Sequence, residues 1–181
     1  MATGISTRTQ NATSFEALKE AFGYTSKMQA PKLQKVVIST GTGKIKDKKK
    51  VEIIQDRLAR ITGQKSAPRG AKKSIATFKV RQGDVIGYQV TLRGAHMYDF
   101  LDKLVHIALP RSRDFRGIST KVLDAMGNMT IGIKEHTIFP ETSDENLSDV
   151  FGISVTIVSS AKTKREAEMF YRHLGVPLQE A

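Results

Sequence analysis

The sequence predicts a single α+β domain, in which a mostly antiparallel sheet carries helices on one face and leaves a polar, basic face open. Segments that alternate apolar and polar residues, as strands do, occur in adjacent pairs along the chain. Amphipathic segments with helical spacing separate these pairs. The resulting order, β-α-β-β-α and then β-β-α, favours helices stacked on one side of an antiparallel sheet.

Three elements are predicted in the first third of the chain. Thr13–Phe22 is expected to form a helix, because Thr13 begins a capping box and apolar residues share one face. Leu33–Thr40 is rich in β-branched residues and precedes a Gly-Thr-Gly turn, which indicates a strand. Asp47–Thr62 is predicted to be an amphipathic helix that begins with an aspartate N-cap and ends at Gly63.

Two strands, Lys73–Arg81 and Val85–Arg93, are predicted around a Gln-Gly-Asp turn. Because side chains alternate along a strand, Thr77, Lys79 and Arg81 should share one face of the first strand. The alternation assigns Phe78 and Tyr88 to the core, which argues against base stacking as a main mode of binding. In the second strand the core face comprises Ile86, Tyr88, Val90 and Leu92, and the opposite face comprises Gln89, Thr91 and Arg93.

The remaining elements follow from the same signals. A helix over Met97–Ala108 should stop before Pro110, because proline disfavours helix in the residue before it. A capping box at Thr163 begins a last helix that should end at Gly175. The segments between them are predicted as a loop over 111–128 and strands over Met129–Ile133 and Phe151–Ser159.

The chain of 181 residues suits one domain, which we place at residues 14–181 after a flexible tail at residues 1–13. Cysteine is absent, so neither a disulfide framework nor a thiolate metal site is available. No apolar run approaches the about 18 residues needed to span a bilayer, and no membrane partner is expected.

Positive charge is concentrated in one part of the sequence. Residues 27–121 hold 22 Lys/Arg and 7 Asp/Glu, a net charge of +15. The last 60 residues hold 5 Lys/Arg and 9 Asp/Glu, a net charge of −4. Because concentrated like charge is relieved by a polyanion, a nucleic acid is the expected partner.

Motifs for catalysis are weak. Gly41-Thr42-Gly43-Lys44 follows a strand but lacks the remaining glycines of phosphate-binding and dinucleotide-binding loops, so it indicates a turn. The four histidines lack metal-ligand spacing, and no paired carboxylates stand out in the basic half. We therefore expect no enzyme activity, no catalytic residues, no metal site and no cofactor.

Five ordered motifs resemble a known family. They are GlyGlnLys at 63–65, LysLysSerIleAlaThrPheLysValArgGlnGly at 72–83, ValThrLeuArgGly at 90–94, LeuProArgSerArgAspPheArgGly at 109–117 and IlePhePro at 138–140. Together they resemble the large-subunit ribosomal protein family, number five in the standard list and of bacterial type, that binds 5S ribosomal RNA in the central protuberance. The resemblance spans about Tyr24 to Pro177, and it implies an α+β fold whose sheet face holds RNA.

The resemblance also implies roles for individual residues. Ser39 stands where family members usually have Asn. The residues implied in binding 5S RNA are Lys35, Ser39, Gln64, Lys65, Lys72, Lys73, Thr91 and Arg93. Those implied in a loop that reaches the transfer RNA of the peptidyl site are Lys79, Arg81, Gln82 and Gly83. Those implied in an intersubunit bridge, with a second stretch near 135–145, are Arg111, Arg113, Asp114, Phe115 and Arg116.

By the same resemblance the partners are 5S ribosomal RNA, large-subunit ribosomal RNA, peptidyl-site transfer RNA, a small-subunit head protein and neighbouring proteins of the central protuberance. The implied location is the cytoplasm, in the ribosome. Two alternatives remain open from the sequence. One is a non-ribosomal RNA-binding or RNA-chaperone protein that uses the same basic face, and the other is a nucleic-acid-processing enzyme that needs a divalent metal.

Overall fold

A five-stranded sheet with the strand order β2-β3-β1-β5-β4 organises the chain, so the predicted α+β class with an antiparallel sheet is confirmed. The computed structural model describes residues 6–45, 47–113, 115–142 and 150–179. The strands are β1 (Leu33–Gly41), β2 (Ala67–Gly70), β3 (Val85–Leu92), β4 (Met129–Ile133) and β5 (Ile153–Ser159). The helices are α1 (Thr7–Phe22), α2 (Lys48–Thr62), α3 (Ala95–Lys103), α4 (Leu109–Arg111) and α5 (Lys164–His173).

The chain groups into two compact units. One unit, here called the terminal unit, comprises Met1–Val36, Arg93–Ile131 and Thr156–Ala181, and within it α1 packs against α3 and α5. The other, here called the central unit, comprises Val37–Leu92 and Gly132–Val155, and within it α2 packs against β3.

Burial alternates along the strands. In β1, Val36 and Ile38 are fully buried, whereas Val37 and Ser39 are only half-buried. β5 repeats the pattern, alternating from buried Ile153 to buried Ser159. This alternation is the period of two that a strand shows when one face packs on a core, and it agrees with the predicted sheet.

The ends of two helices are capped as their sequences predict. The Asp47 carboxylate accepts a hydrogen bond from the Lys49 backbone N–H at 3.0 Å, and Gly63 ends α2 in a left-handed conformation. In α5 the Thr163 hydroxyl accepts from the Glu166 N–H at 3.3 Å. These caps satisfy backbone groups that a helix end leaves without partners, and they fix where α2 and α5 begin.

Helix α1 begins at Thr7, not at Thr13 as predicted. The reason is a distant carboxylate, since Asp102 of α3 accepts from the Thr7 N–H at 2.8 Å and from the Ser6 hydroxyl at 2.8 Å. Residues 7–13, assigned to a flexible tail from the sequence, therefore form the first turns of α1. Residues 1–5 of that tail lie outside the described residues.

The helix predicted over Met97–Ala108 differs at its C-terminal end. α3 is followed by a π-helical turn at Leu104–Ala108 and then by α4, which contains Pro110. The predicted stop before Pro110 is wrong, because a proline is tolerated in the first turn of a new helical segment, where its missing N–H needs no partner. The other boundaries move by a few residues, with β5 beginning at Ile153 and α5 ending at His173.

Tyr171 anchors the terminal unit. Its buried hydroxyl donates to the carbonyl oxygens of Ile157 at 3.1 Å and Gly127 at 3.2 Å, and the Ser159 hydroxyl donates to the same Gly127 carbonyl at 2.9 Å. Gly127 has φ +77°, and a Cβ placed there would lie 2.9 Å from the Ala161 Cβ. A side chain at position 127 would therefore meet both backbone strain and a steric clash.

Replacing Tyr171 with Phe should lower the free energy of unfolding by about 1 kcal/mol, the net value of a buried hydrogen bond. Urea denaturation of the purified chain measures this change. Tyr88→Phe is the matched control, because the Tyr88 ring is buried but its hydroxyl has no hydrogen bond within the described ranges. Equal midpoints for the two variants would show that the Tyr171 hydroxyl does not stabilise the fold.

Alkaline pH should lower the free energy of unfolding of the wild-type chain more than that of the Tyr171→Phe variant. Burial raises the pKa of Tyr171 to about 12, against about 10 in an unfolded chain. The unfolded state therefore loses this proton first, and the Tyr171 contribution to stability is full below about pH 10 and is lost as pH rises through about 12.

The check is the difference in urea midpoint between wild type and Tyr171→Phe, followed from pH 8 to the highest pH at which both chains stay folded. Burial and the hydrogen bond to Glu166 also raise the pKa of Tyr24, but this group is present in both chains and its effect cancels. A difference that stays constant with pH would contradict the raised pKa of Tyr171.

Candidate nucleic-acid interface

Two neighbouring strands, β1 and β3, present hydroxyl groups on their half-buried face. Ser39 of β1 and Thr91 of β3 are half-buried, and the residues on either side of them in sequence are buried. Both residues belong to the central unit. The alternation of each strand thus places them where the sequence predicted, away from the core side chains.

These polar groups have no partner inside the protein. Within the part of the chain that the structure describes, no hydrogen bond engages the hydroxyls of Ser39 and Thr91 or the side-chain amide of Gln64. Thr40, the neighbour of Ser39, instead donates to the Gly152 carbonyl at 2.9 Å. The contrast leaves the first three groups free to donate to or accept from a ligand.

Cations flank these groups along the chain. Gln64 and Lys65 are exposed immediately after the α2 cap, Lys35 is half-buried on β1, and Arg93 is exposed just after β3. Among the described residues, Lys35, Lys65, Lys72, Lys73 and Arg93 form no ion pair with an acidic side chain. Positive charge without an internal counter-charge is the arrangement that favours contact with phosphate.

Arg69 was missed from the sequence. It lies on β2, and its guanidinium Nε donates to the Gln89 side-chain oxygen at 2.7 Å across the antiparallel pair of β2 and β3. This hydrogen bond holds a cation beside the half-buried face of β3. The four residues of β2 include Pro68 and Gly70, which are depleted in strands, so propensity did not reveal the strand or its arginine.

Residues 71–84 form a hairpin, here called the 71–84 hairpin, in place of the predicted strand Lys73–Arg81. Ile75 and Val80 exchange two backbone hydrogen bonds at 3.0 and 3.3 Å, and Ala76–Phe78 form a 3-10 turn between them. Each half of the segment pairs with the other half. The predicted strand is therefore wrong, and Thr77, Lys79 and Arg81 do not share a strand face.

Hydrogen bonds within the 71–84 hairpin close its base. The Ala71 N–H donates to the Asp84 carbonyl at 2.8 Å, and the Gly83 N–H donates to the Ala71 carbonyl at 3.0 Å. The Asp84 carboxylate also accepts from the Arg81 N–H at 2.8 Å. The structure thus brings Lys72 and Lys73 together in one exposed segment with the predicted transfer-RNA residues Lys79, Arg81, Gln82 and Gly83.

Phe78 lies at the tip of this hairpin with 70% of its surface exposed. Its predicted place in the core is wrong, because the turn at Ala76–Phe78 breaks the alternation that the prediction assumed. Tyr88 is buried on β3 as predicted, and Phe115 is half-buried.

A shallow groove of about 470 Å³ lies in the central unit near the end of β1. Its lining is small and polar apart from two isoleucines and one cation. The lining residues are Ser39, Thr40, Gly41, Gly132, Ile133, Lys134, Gly152, Ile153 and Ser154. Ser39 is therefore accessible from a concave surface as well as from the strand face.

The predicted bridge residues lie in the terminal unit after α3. Arg111 ends α4, Arg113 and Arg116 are exposed, and Phe115 is half-buried. Asp114 lies outside the described residues, as does the 143–145 part of the second stretch.

The C-terminal segment supports this region through its backbone. The Ile118 N–H donates to the Pro177 carbonyl at 2.8 Å, and the Gln179 N–H donates to the Ile118 carbonyl at 2.9 Å. The Gln179 side chain also donates to the Arg116 carbonyl at 3.3 Å. These bonds fix the backbone on the C-terminal side of the exposed arginines.

Two further findings concern other classes of site. Within the described ranges, histidine and acidic side chains do not gather in groups of three or more that could hold a metal ion. Nor does any described helix have the length and apolar character required to cross a membrane.

Comparison with protein families gives two matches that adjoin along the chain. Residues 26–81 match the family described as Ribosomal protein L5. Residues 85–178 match the model for the C-terminus of the same ribosomal protein family. The junction between the two falls at the 71–84 hairpin.

Individual relatives agree over nearly the full length. The chain is 49% identical over 165 residues to the large ribosomal subunit protein uL5 of Desulfotalea psychrophila, covering 91% of this chain and 92% of the relative. It is 47% identical over 165 residues to uL5 of Geobacter sulfurreducens, covering 91% and 92%. It is 44% identical over 181 residues to uL5 of an Anaeromyxobacter species, covering 99% and 100%.

These matches agree with the bacterial type suggested by the sequence motifs, and they favour the ribosomal interpretation over a non-ribosomal RNA-binding protein or a nucleic-acid-processing enzyme. The location that follows is the ribosome. The chain belongs to the ribosomal protein L5 family, whose members are structural, non-enzymatic components of the large ribosomal subunit.

Proposed function

We propose that this large-subunit protein binds 5S ribosomal RNA through the half-buried face of β1 and β3 and helps to anchor that RNA in the central protuberance. The observation that carries the proposal is the set of polar groups without internal partners. Among the described residues, Ser39, Gln64 and Thr91 offer hydroxyls and an amide, and cations without acidic partners flank them along the chain. The resemblance assigns these same residues to 5S RNA.

The two kinds of group have different tasks. Lys35, Lys65, Lys72, Lys73 and Arg93 attract phosphates, which supplies most of the affinity but no discrimination between sequences. The hydroxyls and the amide can donate to and accept from 2′-hydroxyls and base edges, which a folded RNA presents in a fixed arrangement. Specificity then comes from RNA shape and from a few hydrogen bonds.

We extend the proposal to the 71–84 hairpin, which would contact transfer RNA in the peptidyl site. The exposed Lys79 and Arg81 supply positive charge, and the exposed Gln82, beside Gly83, supplies a side-chain amide. The closing hydrogen bonds of the hairpin support this role, because a preorganised loop loses less conformational entropy on binding.

The third part of the proposal is an intersubunit bridge. Arg111, Arg113 and Arg116 would meet a small-subunit head protein around the half-buried Phe115, and by resemblance Asp114 takes part. Interfaces are enriched in arginine and aromatic side chains, which supports this use of the segment. Neighbouring proteins of the central protuberance and large-subunit RNA complete the proposed partners.

Arg93→Glu should weaken binding of 5S RNA. It should also reduce the magnitude of the slope of log K against log salt by about 1, the value expected for the loss of one phosphate contact. The measurement is a titration of the full chain with 5S RNA at about 50 and 200 mM salt, repeated with an unrelated RNA of equal size. Arg165→Glu, an exposed charge reversal on α5, is the matched control and should keep the wild-type slope. Equal slopes for both variants would remove Arg93 from the interface.

Thr91→Ala should raise the Kd for 5S RNA about 5-fold, the value of one hydrogen bond of about 1 kcal/mol, with little change in stability. Stability should hold because the Thr91 hydroxyl has no partner among the described residues. Thr9→Ala on α1 is the control for loss of an exposed threonine hydroxyl. Wild-type affinity in Thr91→Ala, measured in the same titration, would show that β3 does not face the RNA.

A further inference from the structure

The exposed aromatic ring at the tip of the 71–84 hairpin has no structural use in the fold. Phe78 is 70% exposed, whereas Phe139 and Phe170 are fully buried. Burial of a phenylalanine side chain stabilises a fold, and this fold forgoes most of that stabilisation at position 78. A polar residue would serve folding equally well at this position, so the ring is better explained by a ligand.

The backbone holds the ring in a defined place. The Ile75–Val80 pair closes a four-residue tip, and the Lys79 N–H donates to the Ala76 carbonyl at 3.0 Å. Lys79 itself adopts a left-handed conformation, with φ 52° and ψ 39°, a conformation that residues other than glycine and asparagine rarely adopt. Farther from the tip, the Gln82 N–H donates a hydrogen bond to the Ser74 hydroxyl at 2.9 Å, and this bond supports the Ile75–Val80 pair.

The charges around the ring indicate the kind of ligand. Residues 71–84 contain Lys72, Lys73, Lys79 and Arg81 against the single acid Asp84, a net charge of +3. A ligand complementary to this tip is polyanionic and also offers a flat apolar face. Nucleobases on a phosphate backbone combine both features, and every base has a face on which an aromatic ring can stack.

We infer that Phe78 stacks on an exposed base face of transfer RNA while Lys79 and Arg81 attract the adjoining phosphates. The inference rests on the proposed contact between the hairpin and transfer RNA, and it adds the mode of that contact. It makes Phe78 a contact residue for the RNA, and it adds base stacking to a surface for which the sequence argued against stacking as a main mode of binding.

The test is a titration of an unmodified transfer RNA transcript, labelled at its 3′ end, into a preformed complex of the full chain with 5S RNA. Fluorescence anisotropy at about 50 and 200 mM salt gives the Kd and its salt slope. Saturation with 5S RNA occupies the sheet face, so the remaining binding of transfer RNA reports on the hairpin. Phe78→Ala, Phe78→Leu, Phe78→Tyr and Lys79→Gln are compared with wild type.

Phe78→Ala and Phe78→Leu should raise the Kd for transfer RNA about 5- to 150-fold, the range typical of alanine substitution at stacking aromatics. Phe78→Tyr should stay within about 2-fold of wild type, because it keeps an aromatic face. Neither Phe78→Ala nor Phe78→Leu should change the salt slope, whereas Lys79→Gln should lower it by about 1. Leucine separates stacking from simple apolar contact, since it keeps apolar area without a ring.

The outcomes separate the two proposals. Wild-type affinity in Phe78→Leu together with weaker binding in Lys79→Gln would overturn stacking and leave the hairpin as a charged contact. Wild-type affinity in all four variants, or no binding of transfer RNA by the wild-type complex, would overturn both. Unfolding midpoints in urea serve as the folding control and should not change, because the Phe78 side chain contributes little to the core.

Discussion

Burial of one face of the sheet is the constraint on which the rest of the structure depends. Each aliphatic side chain fully buried there contributes roughly 1.5–3 kcal/mol. In β1 these side chains include Val36 and Ile38, which are fully buried. Because side chains alternate, a shift of register by one residue would expose Ile38 and bury Ser39. The same interaction that stabilises the sheet therefore decides which polar side chains remain on its accessible face.

The fold treats its polar groups in two ways. In the core, hydroxyls are used to satisfy carbonyl groups, as Tyr171 does for Ile157 and Thr142 does for His136 at 3.0 Å. On the half-buried face, the Ser39 and Thr91 hydroxyls have no such partner among the described residues. In the proposed complex with 5S RNA, neither group would give up a hydrogen bond inside the protein.

The 71–84 hairpin is shaped by backbone hydrogen bonds, not by buried side chains. Its tip has no buried core of its own, since every residue from 72 to 79 is exposed. Backbone hydrogen bonds at Ile75–Val80 and at the base therefore define its shape. The unfavourable left-handed conformation of Lys79 persists because those bonds close the turn around it. A segment built in this way presents side chains to a partner without contributing them to the core.

The sequence by itself determined the elements whose residues repeat with a regular burial period. Helix α2 and strands β1, β3 and β4 lie close to their predicted limits, because their periods of 3.6 and 2 reflect direct packing on a core. Tertiary structure alone decided the start of α1, which depends on Asp102, 95 positions along the chain from Thr7. It also decided the edge strand β2, which pairs with β3 despite Pro68, and the exposure of Phe78, which follows from hairpin closure. Packing on the core produces a periodic pattern of apolar residues in the sequence. Long-range hydrogen bonds and strand pairing at a sheet edge produce no such pattern.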